Sequence, residues 1–295
     1  MSKTKLKNAS YSIHILLRQV KLSFQTKHAY KDMLNLCVKH LDKLGFQIDN
    51  IRQLKQKHIY ALTKQWRDEN LNVATIKNRL STLRYACRLL NKANVVFANA
   101  KYSIGNRSYI PTENKAIKEI DLSKIDDLYI KQSIQLQKQF GLRREESIKF
   151  NPSFADKGDH IELKASWTKG GIHRIIPITT QEQRECLNQA KELCGKNSLI
   201  PQGKSFINQR NLYDRLTHQA GLFNLHGLRH AYAQQRYFTL TKQLNNGNGW
   251  QAPLDGGVKT TKLTKQEKVI DRQAREIISR ELGHCRIAIT KIYLS

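Results

Sequence analysis

The sequence contains no long apolar run. No stretch approaches the roughly 18 apolar residues that indicate a membrane-spanning helix, and the first residues lack the apolar core of a signal peptide. There is also no G-x-x-x-x-G-K-[ST] loop for nucleotide phosphates and no acidic cluster suited to two magnesium ions. These absences argue against a membrane-spanning or secreted protein and against chemistry that depends on a nucleotide or a magnesium pair.

Cysteine is scarce and shows no pattern. The five cysteines are odd in number and include no C-x-x-C pair, which argues against a disulfide framework and a zinc site. They are Cys37, Cys87, Cys186, Cys194 and Cys285. Reduced thiols are typical of the cytoplasm, so we expect a cytoplasmic protein, associated with the nucleoid if the host is a bacterium.

Acidic residues are too few to balance the basic ones. Asp and Glu number 24 against 51 Lys and Arg, which gives a formal net charge of +27. Residues 1–100 hold 19 of the basic but only 5 of the acidic residues, so positive charge is densest there. The excess indicates a polyanionic partner, although a basic protein that adheres non-specifically to RNA or membranes would share it.

The chain length suggests two domains, and the first, residues 1–96, is predicted to be a helical bundle. Residues 1–10 are polar and basic and are expected to be frayed. Thr26 is the expected cap of a helix that ends at Gly45, and Asn72 is the expected cap of the most regular helix. The apolar residues at helical spacing are Tyr30, Met33, Leu34, Cys37, Leu41 and Leu44, then Ile59, Leu62 and Trp66, then Val73, Ile76, Leu80, Leu83, Cys87 and Leu90.

A basic stripe runs along the last of these helices. Lys77, Arg84 and Arg88 are spaced at i, i+7 and i+11, on a different face from the apolar residues. We predict that they bind nucleic-acid phosphates rather than base edges, because nothing on the helix indicates base recognition. A solvated charged face would show the same spacing.

A linker is predicted over residues 97–117, and the second domain over residues 118–295. Apolar periodicity fades in the linker and turn residues accumulate, while Lys101 and Arg107 keep it positive. An ordinary surface loop fits this composition equally well. The segments predicted beyond it are a helix capped near Asp121, a hairpin over 160–178, helices over 181–194 and 205–220, and a helix from His226.

Two motifs of the second domain present a cation at a turn. Residues 141–146 read G-L-R-R-E-E, where the glycine allows a sharp turn that presents Arg143. Residues 160–178 alternate in polarity, and Lys169 lies at their Gly-Gly turn. Pro177 is expected to end this hairpin.

Two further motifs combine histidine, arginine and tyrosine. His226 and Arg229 are three residues apart and share one side of a helical turn. There an imidazole can move a proton and a guanidinium can bind a phosphate. His230 lies one step off that face and is expected to be structural. Farther on, Tyr293 follows the L-G-H motif at an interval of nine residues from His284.

In this order, G-L-R-x-x-E, a hairpin lysine, H-x-L-R-H, L-G-H and a tyrosine nine residues later, the motifs resemble those of the tyrosine recombinase (phage integrase) family. The resemblance covers nearly the whole chain and is strongest over 141–146, 226–230 and 282–293. It implies a mainly α fold with a small β-hairpin or sheet. A helical core-binding domain would grip DNA opposite an α+β tyrosine-recombinase catalytic domain.

The family mechanism implies a role for each matching residue. Arg143, Arg229 and His284 would stabilise the charge that develops on the attacked phosphate. Tyr293 would attack the phosphorus to form a 3′-phosphotyrosine, and His226 would accept the tyrosine proton.

The leaving group and the alternatives complete the predicted site. Lys169 would protonate the departing 5′ oxygen, with Lys164 as the alternative, and Glu146 would support the site. Arg144 is the alternative to the preceding arginine. Because the energy of the broken bond is kept in the covalent intermediate, no cofactor is expected, neither ATP nor a metal.

The implied function is a site-specific recombinase that cuts and rejoins double-stranded DNA and integrates or excises a mobile element. Its expected partners are DNA, three further copies in a homo-tetramer on two DNA sites, and accessory DNA-bending or directionality proteins. The alternatives are a type IB topoisomerase-like enzyme that relaxes DNA and a DNA-binding relative that has lost cleavage.

Residues 239–267 depart from the family pattern. They are rich in Gly and Asn and are predicted to be a flexible insertion, unusually long for a loop without structure. Trp250, Leu254 and Val258 are candidate anchors for a neighbouring subunit or DNA. Only two residues follow Tyr293 in the sequence, so we expect no tail that passes into a neighbouring subunit.

Overall fold

The computed structural model describes residues 3–284 and 286–295, which are mainly helical with one two-stranded antiparallel sheet. The predicted fold class is therefore confirmed. The chain divides into two compact units, residues 1–108 and 109–295. Cys285 lies outside the described residues, and the other four cysteines are buried free thiols. Within the described ranges, no helix is long and apolar enough to cross a membrane.

The first unit, in its described part, is built from four α-helices around one apolar core. They are α1 (Lys3–Arg18), α2 (Phe24–Lys43), α3 (Gln56–Asp68) and α4 (Val73–Leu89). The prediction of a frayed start is wrong for residues 3–10, which form the first turns of α1. Helix α1 forms because Ala9, Ile13 and Leu17, spaced four apart, are buried in this core.

Side-chain caps define two of these helix starts. Asn72 caps α4 as predicted, since its side-chain oxygen accepts from Ala74 N at 2.8 Å. Helix α2 is capped by Ser23 instead of the predicted Thr26, because Ser23 Oγ accepts the backbone N–H of Thr26 at 3.2 Å.

The predicted linker, residues 97–117, belongs largely to the two units. Tyr102 and Ile104 are buried in the core of the first unit. The backbone N–H of Ile117 donates to Gly227 O at 3.0 Å within the second unit. Both ends of the segment pack on a core, and the division between the two compact units falls after residue 108, inside the predicted linker.

The second unit combines short and long helices with a hairpin. In chain order its elements are α5 (Leu128–Phe140), α6 (Arg144–Ile148), α7 (Pro152–Ala155), β1 (His160–Leu163), β2 (Arg174–Pro177), α8 (Gln181–Cys194), α9 (Phe206–Gln219), α10 (Gly227–Leu244), α11 (Lys265–Glu281) and α12 (Lys291–Leu294). The first helix is capped by Asp127, whose carboxylate accepts from Ile130 N at 3.0 Å, and not near Asp121.

The hairpin places an arginine toward the protein interior. His160 pairs with Pro177, where the hairpin ends as predicted. Along β2, Arg174 and Ile176 are buried, whereas Ile175 is 52% exposed. The inward position of a charged residue indicates a specific partner inside the unit.

The structure corrects the prediction that residues 239–267 form a flexible insertion. Helix α10 continues to Leu244. Beyond it, Trp250 Nε1 donates to Tyr237 OH at 3.0 Å, and the backbone of Trp250 exchanges two hydrogen bonds with Thr241 Oγ1 at 3.1 Å. These bonds tie the segment to α10 and hold Trp250, which is half-buried, against its own unit.

Candidate active site

Arg229 is the buried centre of the site. It lies in the first turn of α10 with 1% of its surface exposed. Its two terminal nitrogens donate to Gly141 O and Leu282 O, at the C-terminal ends of α5 and α11, where the carbonyls carry partial negative charge. Burial lowers the pKa of Arg229 to about 10, so the guanidinium remains charged at neutral pH.

The third donor of Arg229 points at the predicted nucleophile. Its Nε donates to Tyr293 OH at 3.3 Å, and His284 Nε2 lies 3.2 Å from the same oxygen. Tyr293 is 3% exposed, and its backbone oxygen accepts from Gln234 Nε2 at 3.0 Å. The structure therefore brings Arg229, His284 and Tyr293 together around one phenol oxygen.

Three imidazoles surround the Tyr293 ring. The ring centroids of His230, His284 and His226 lie 4.7, 5.7 and 6.3 Å from that of Tyr293. Burial, with nearby positive charges as the further cause, lowers the pKa of His284 and of His230 to about 4, and lowers that of His226. Neutral imidazoles can accept protons. It is His284, and not the predicted acceptor His226, that contacts the phenol oxygen.

Arg143 belongs to the same cluster, whereas Arg144 does not. Arg143 Nη1 donates to Glu146 Oε1 at 2.8 Å, and its Nη2 donates to Leu282 O at 3.3 Å. The Arg144 guanidinium is half-exposed and pairs with Asp214 on the surface. Leu282 O accepts from both Arg143 and Arg229. The turn that contains Leu282 therefore sets the distance between the two guanidinium groups.

Two residues of the cluster were missed by the sequence reasoning. Arg174 is buried and donates from Nη2 to Glu146 Oε2 at 2.5 Å. His230, expected to be structural, is 5% exposed and lies against the Tyr293 ring, and its Nδ1 has no partner among the described residues. The sequence signal for His230 was the second histidine of H-x-x-R-H. For Arg174, the only sequence signal was its position on the inward-facing side of β2.

The predicted lysine lies apart from this cluster. Lys169 is exposed in the loop between β1 and β2, and its side chain makes no hydrogen bond or ion pair within the described residues. The alternative, Lys164, has its ammonium group 4.0 Å from the ring centroid of Phe154 and 5.6 Å from that of Trp167. Of the two lysines, Lys169 is therefore the one whose charge is uncommitted.

The basic stripe of the first unit is used unevenly. Arg84 Nη2 donates to Phe97 O and to Asn99 Oδ1, each at 2.6 Å, so it anchors the segment after α4. Lys77 is half-buried and Arg88 is exposed. Of the three predicted DNA contacts, Arg84 is the least available.

The site offers cationic side chains to an anion. Within the described ranges, no group of three or more His, Cys, Asp or Glu side chains converges to hold a metal ion. The charges that can face an anion here are those of arginines.

Solved structures share this fold. A lambda integrase dimer bound to a COC′ core site matches with a TM-score of 0.62 at 15% identity, over 100% of this chain and 77% of that one. The Tn1549 transposon integrase in complex with circular intermediate DNA matches with a TM-score of 0.52 at 13% identity, over 100% and 96%. A lambda integrase tetramer bound to a Holliday junction matches with a TM-score of 0.52 at 18% identity, over 77% and 71%.

Sequence comparison agrees with the fold. No curated protein matches the sequence. Residues 6–96 match the family model of the phage integrase N-terminal domain, and residues 101–235 match that of an integrase domain. Because these two matches together span most of the chain, it belongs to the tyrosine recombinase (phage integrase) family.

Proposed function

We propose that this protein cuts and rejoins DNA through a 3′-phosphotyrosine intermediate on Tyr293. The observation that carries the proposal is the convergence of Arg229 Nε and His284 Nε2 on the Tyr293 hydroxyl, at 3.3 and 3.2 Å. A tyrosine whose oxygen faces a guanidinium and a neutral imidazole has both a charge that favours the phenolate and a base to take its proton.

The arginines supply what a phosphodiester needs. It is already an anion and gains charge in the transition state, so oriented donors lower the barrier. Arg229 is held by two backbone carbonyls and Arg143 by Glu146, so neither guanidinium has to reorganise during the reaction. The side chain of Arg143 is 22% exposed, which leaves part of it open to an incoming phosphate.

Side chains of the protein can supply and accept every proton in this reaction, so no cofactor is needed. The Tyr293 proton passes to His284, with His226 as the alternative acceptor, as the P–O bond to tyrosine forms. The bond from phosphorus to the 5′ oxygen breaks, and Lys169 protonates that oxygen. In the reverse step, a 5′ hydroxyl of the exchanged strand attacks the phosphotyrosine, so the bond energy is conserved.

The likeness to DNA-bound integrases supports a role in recombination. The relatives are a dimer on a core site, a tetramer on a Holliday junction and a transposon integrase on circular intermediate DNA. We therefore infer double-stranded DNA as the substrate, a homo-tetramer on two sites as the working form, and a mobile element as the DNA that is moved. The basic first unit would contribute phosphate contacts.

The decisive experiment traps the covalent adduct. Purified protein is incubated with a plasmid that carries the DNA flanking its own gene, quenched with detergent, and assayed for DNA that remains attached to protein. The wild type is expected to form the adduct, and Tyr293→Phe, which lacks one oxygen, should bind DNA but form none.

The same assay separates the alternatives. An adduct in the Phe variant would contradict the assignment of Tyr293. Relaxation of the plasmid without joining of two sites would favour the topoisomerase-like reaction. DNA binding without any adduct in the wild type would favour a relative that has lost cleavage.

A further inference from the structure

Arg174 is a buried arginine with no part in the chemistry described so far. Its side chain is 2% exposed, and only Nη2 has a partner, Glu146 Oε2 at 2.5 Å. Its Nε and Nη1 are buried without a hydrogen-bond partner in the described part of the chain. Burying a charge with so few partners is costly. The two groups that Arg174 contacts therefore indicate what this charge does in the site.

The first of these groups, Glu146, connects Arg174 to Arg143. The Glu146 carboxylate is fully buried, and Oε2 accepts from the backbone N–H of Arg143 at 2.7 Å while Oε1 accepts from its Nη1 at 2.8 Å. Burial disfavours the ionised carboxylate, yet the charges of Arg174 and Arg143 hold the pKa of Glu146 below its ordinary value. Arg174 therefore helps to keep ionised the group that orients Arg143.

The second contact is with the L-G-H turn. A Cβ on Gly283, where φ is +65°, would lie 2.5 Å from Arg174 Cδ and 3.1 Å from its Nη1. The glycine backbone therefore packs directly on the arginine side chain. This turn carries Leu282 O, which accepts from Arg229, and His284, which contacts the nucleophile.

We propose that Arg174 is a positioning residue of the active site: with Glu146 it orients Arg143 toward the scissile phosphate, and it supports the turn that presents His284. The inference rests on the proposed function. The guanidinium groups of Arg143 and Arg174 contact the Glu146 carboxylate, and the charge of Arg229 also acts on it, so the cluster keeps a positive charge that a phosphate would balance. Arg174 acts through Glu146 and the turn at Gly283, the two groups that its side chain contacts.

The test compares Arg174→Met with Arg174→Lys in the plasmid adduct assay. The methionine variant should slow adduct formation by about 10- to 100-fold, the scale on which misplacement of a reacting group acts. The lysine variant keeps a positive charge beside Glu146 and should recover most of the rate. Wild-type rates in the methionine variant would overturn the inference while leaving the proposed function intact, whereas no adduct in the wild type would defeat the proposed function.

A second readout separates positioning from general destabilisation. Burial lowers the pKa of His284, and the charges of Arg229, Arg143, Arg174 and His226 lower it further. In proton NMR titrations, the pKa of His284 should therefore rise in Arg174→Met and stay near the wild-type value in Arg174→Lys. Equal loss of activity in both variants without this difference would overturn the inference.

The matched control lies elsewhere in the same unit. Arg184 donates from Nη1 to Asp156 Oδ2 at 2.5 Å, and the Asp156 side chain is 2% exposed, so this is also an arginine on a buried carboxylate. Arg184→Met should leave the rate of adduct formation unchanged. A loss equal to that of Arg174→Met would mean that any broken buried pair has this effect.

A double variant tests whether Arg174 acts through Glu146, and it can replace Arg174→Met if that variant does not fold. Combining Glu146→Gln with Arg174→Met removes both charges together, which proteins tolerate better than one unpaired buried charge. If Arg174 acts through Glu146, the double variant should be no slower than the slower single variant. Fully multiplied effects would overturn this coupling, and the double variant keeps the test available if Arg174→Met does not fold.

Discussion

Arg143→Ala is expected to slow adduct formation by about 100-fold or more, the scale for losing one preorganised donor to developing charge. Arg143 is the site arginine with an open flank, since its side chain is 22% exposed while Arg229 is 1% exposed. The adjacent Arg144 offers a matched control. It has the same chemistry one residue away, but its guanidinium pairs with Asp214 on the surface.

The two variants should also differ in stability. Arg143 Nη1 donates to Glu146 at 2.8 Å, and losing a hydrogen bond to a charged group costs about 1.5–3 kcal/mol. A domain of this size loses about 2–4 °C in Tm per kcal/mol, so Tm should fall by about 3–12 °C. The half-exposed pair of Arg144 and Asp214 should contribute about 0–1 kcal/mol.

Two measurements decide this prediction. Adduct formation is timed in the plasmid assay well below Tm, and thermal unfolding is followed by circular dichroism. Arg144→Ala should retain both activity and Tm. If Arg144→Ala proved the damaging change and Arg143→Ala the mild one, the assignment of these adjacent arginines would be refuted.

Three further outcomes are expected. A substrate with sulfur in place of the bridging 5′ oxygen should restore cleavage to Lys169→Ala but not to Arg143→Ala, and failure of that rescue would move the acid role to another residue. EDTA should leave adduct formation intact, and a loss that magnesium restores would contradict a site built from side-chain cations. Because burial lowers the pKa of His230 and His284 from 6.5 to about 4, the unfolded chain binds more protons between these values. The free energy of unfolding measured in urea should therefore fall as pH drops from about 6.5 to about 4, and a flat profile would contradict the burial of these imidazoles.

The sequence by itself determined the features that depend on neighbours a few residues apart. The Asn72 cap and the end of the hairpin at Pro177 were predicted from local chemistry and are seen in the structure. The resemblance to the family, through the nine-residue interval between His284 and Tyr293, predicted a functional pair, and the structure brings their side chains to within 3.2 Å. Such signals are readable because capping, turn formation and helical spacing are local interactions.

Predictions from short sequence patterns failed where buried contacts outside those patterns decided the structure. The ends of the predicted linker, residues 97–117, were assigned to a loop because their apolar periodicity is weak, yet Tyr102 and Ile104 are buried in the core of the first unit. Likewise, the Gly/Asn-rich composition before Trp250 predicted a flexible segment, yet this residue makes hydrogen bonds to Tyr237 and Thr241. In both cases a few buried side chains outweigh composition.

Only the tertiary structure decided which groups share the active site. Whether Arg174 faces inward depends on how the hairpin packs, since a shift of one residue would reverse the face of every side chain. The choice of His284 rather than His226 as the contact of the phenol oxygen, and the position of His230 against the Tyr293 ring, depend on how α10 and α12 pack. The contact of Arg229 with Tyr293 joins residues 64 positions apart in the sequence, and such contacts are set by the packing of whole elements rather than by any local preference of the chain.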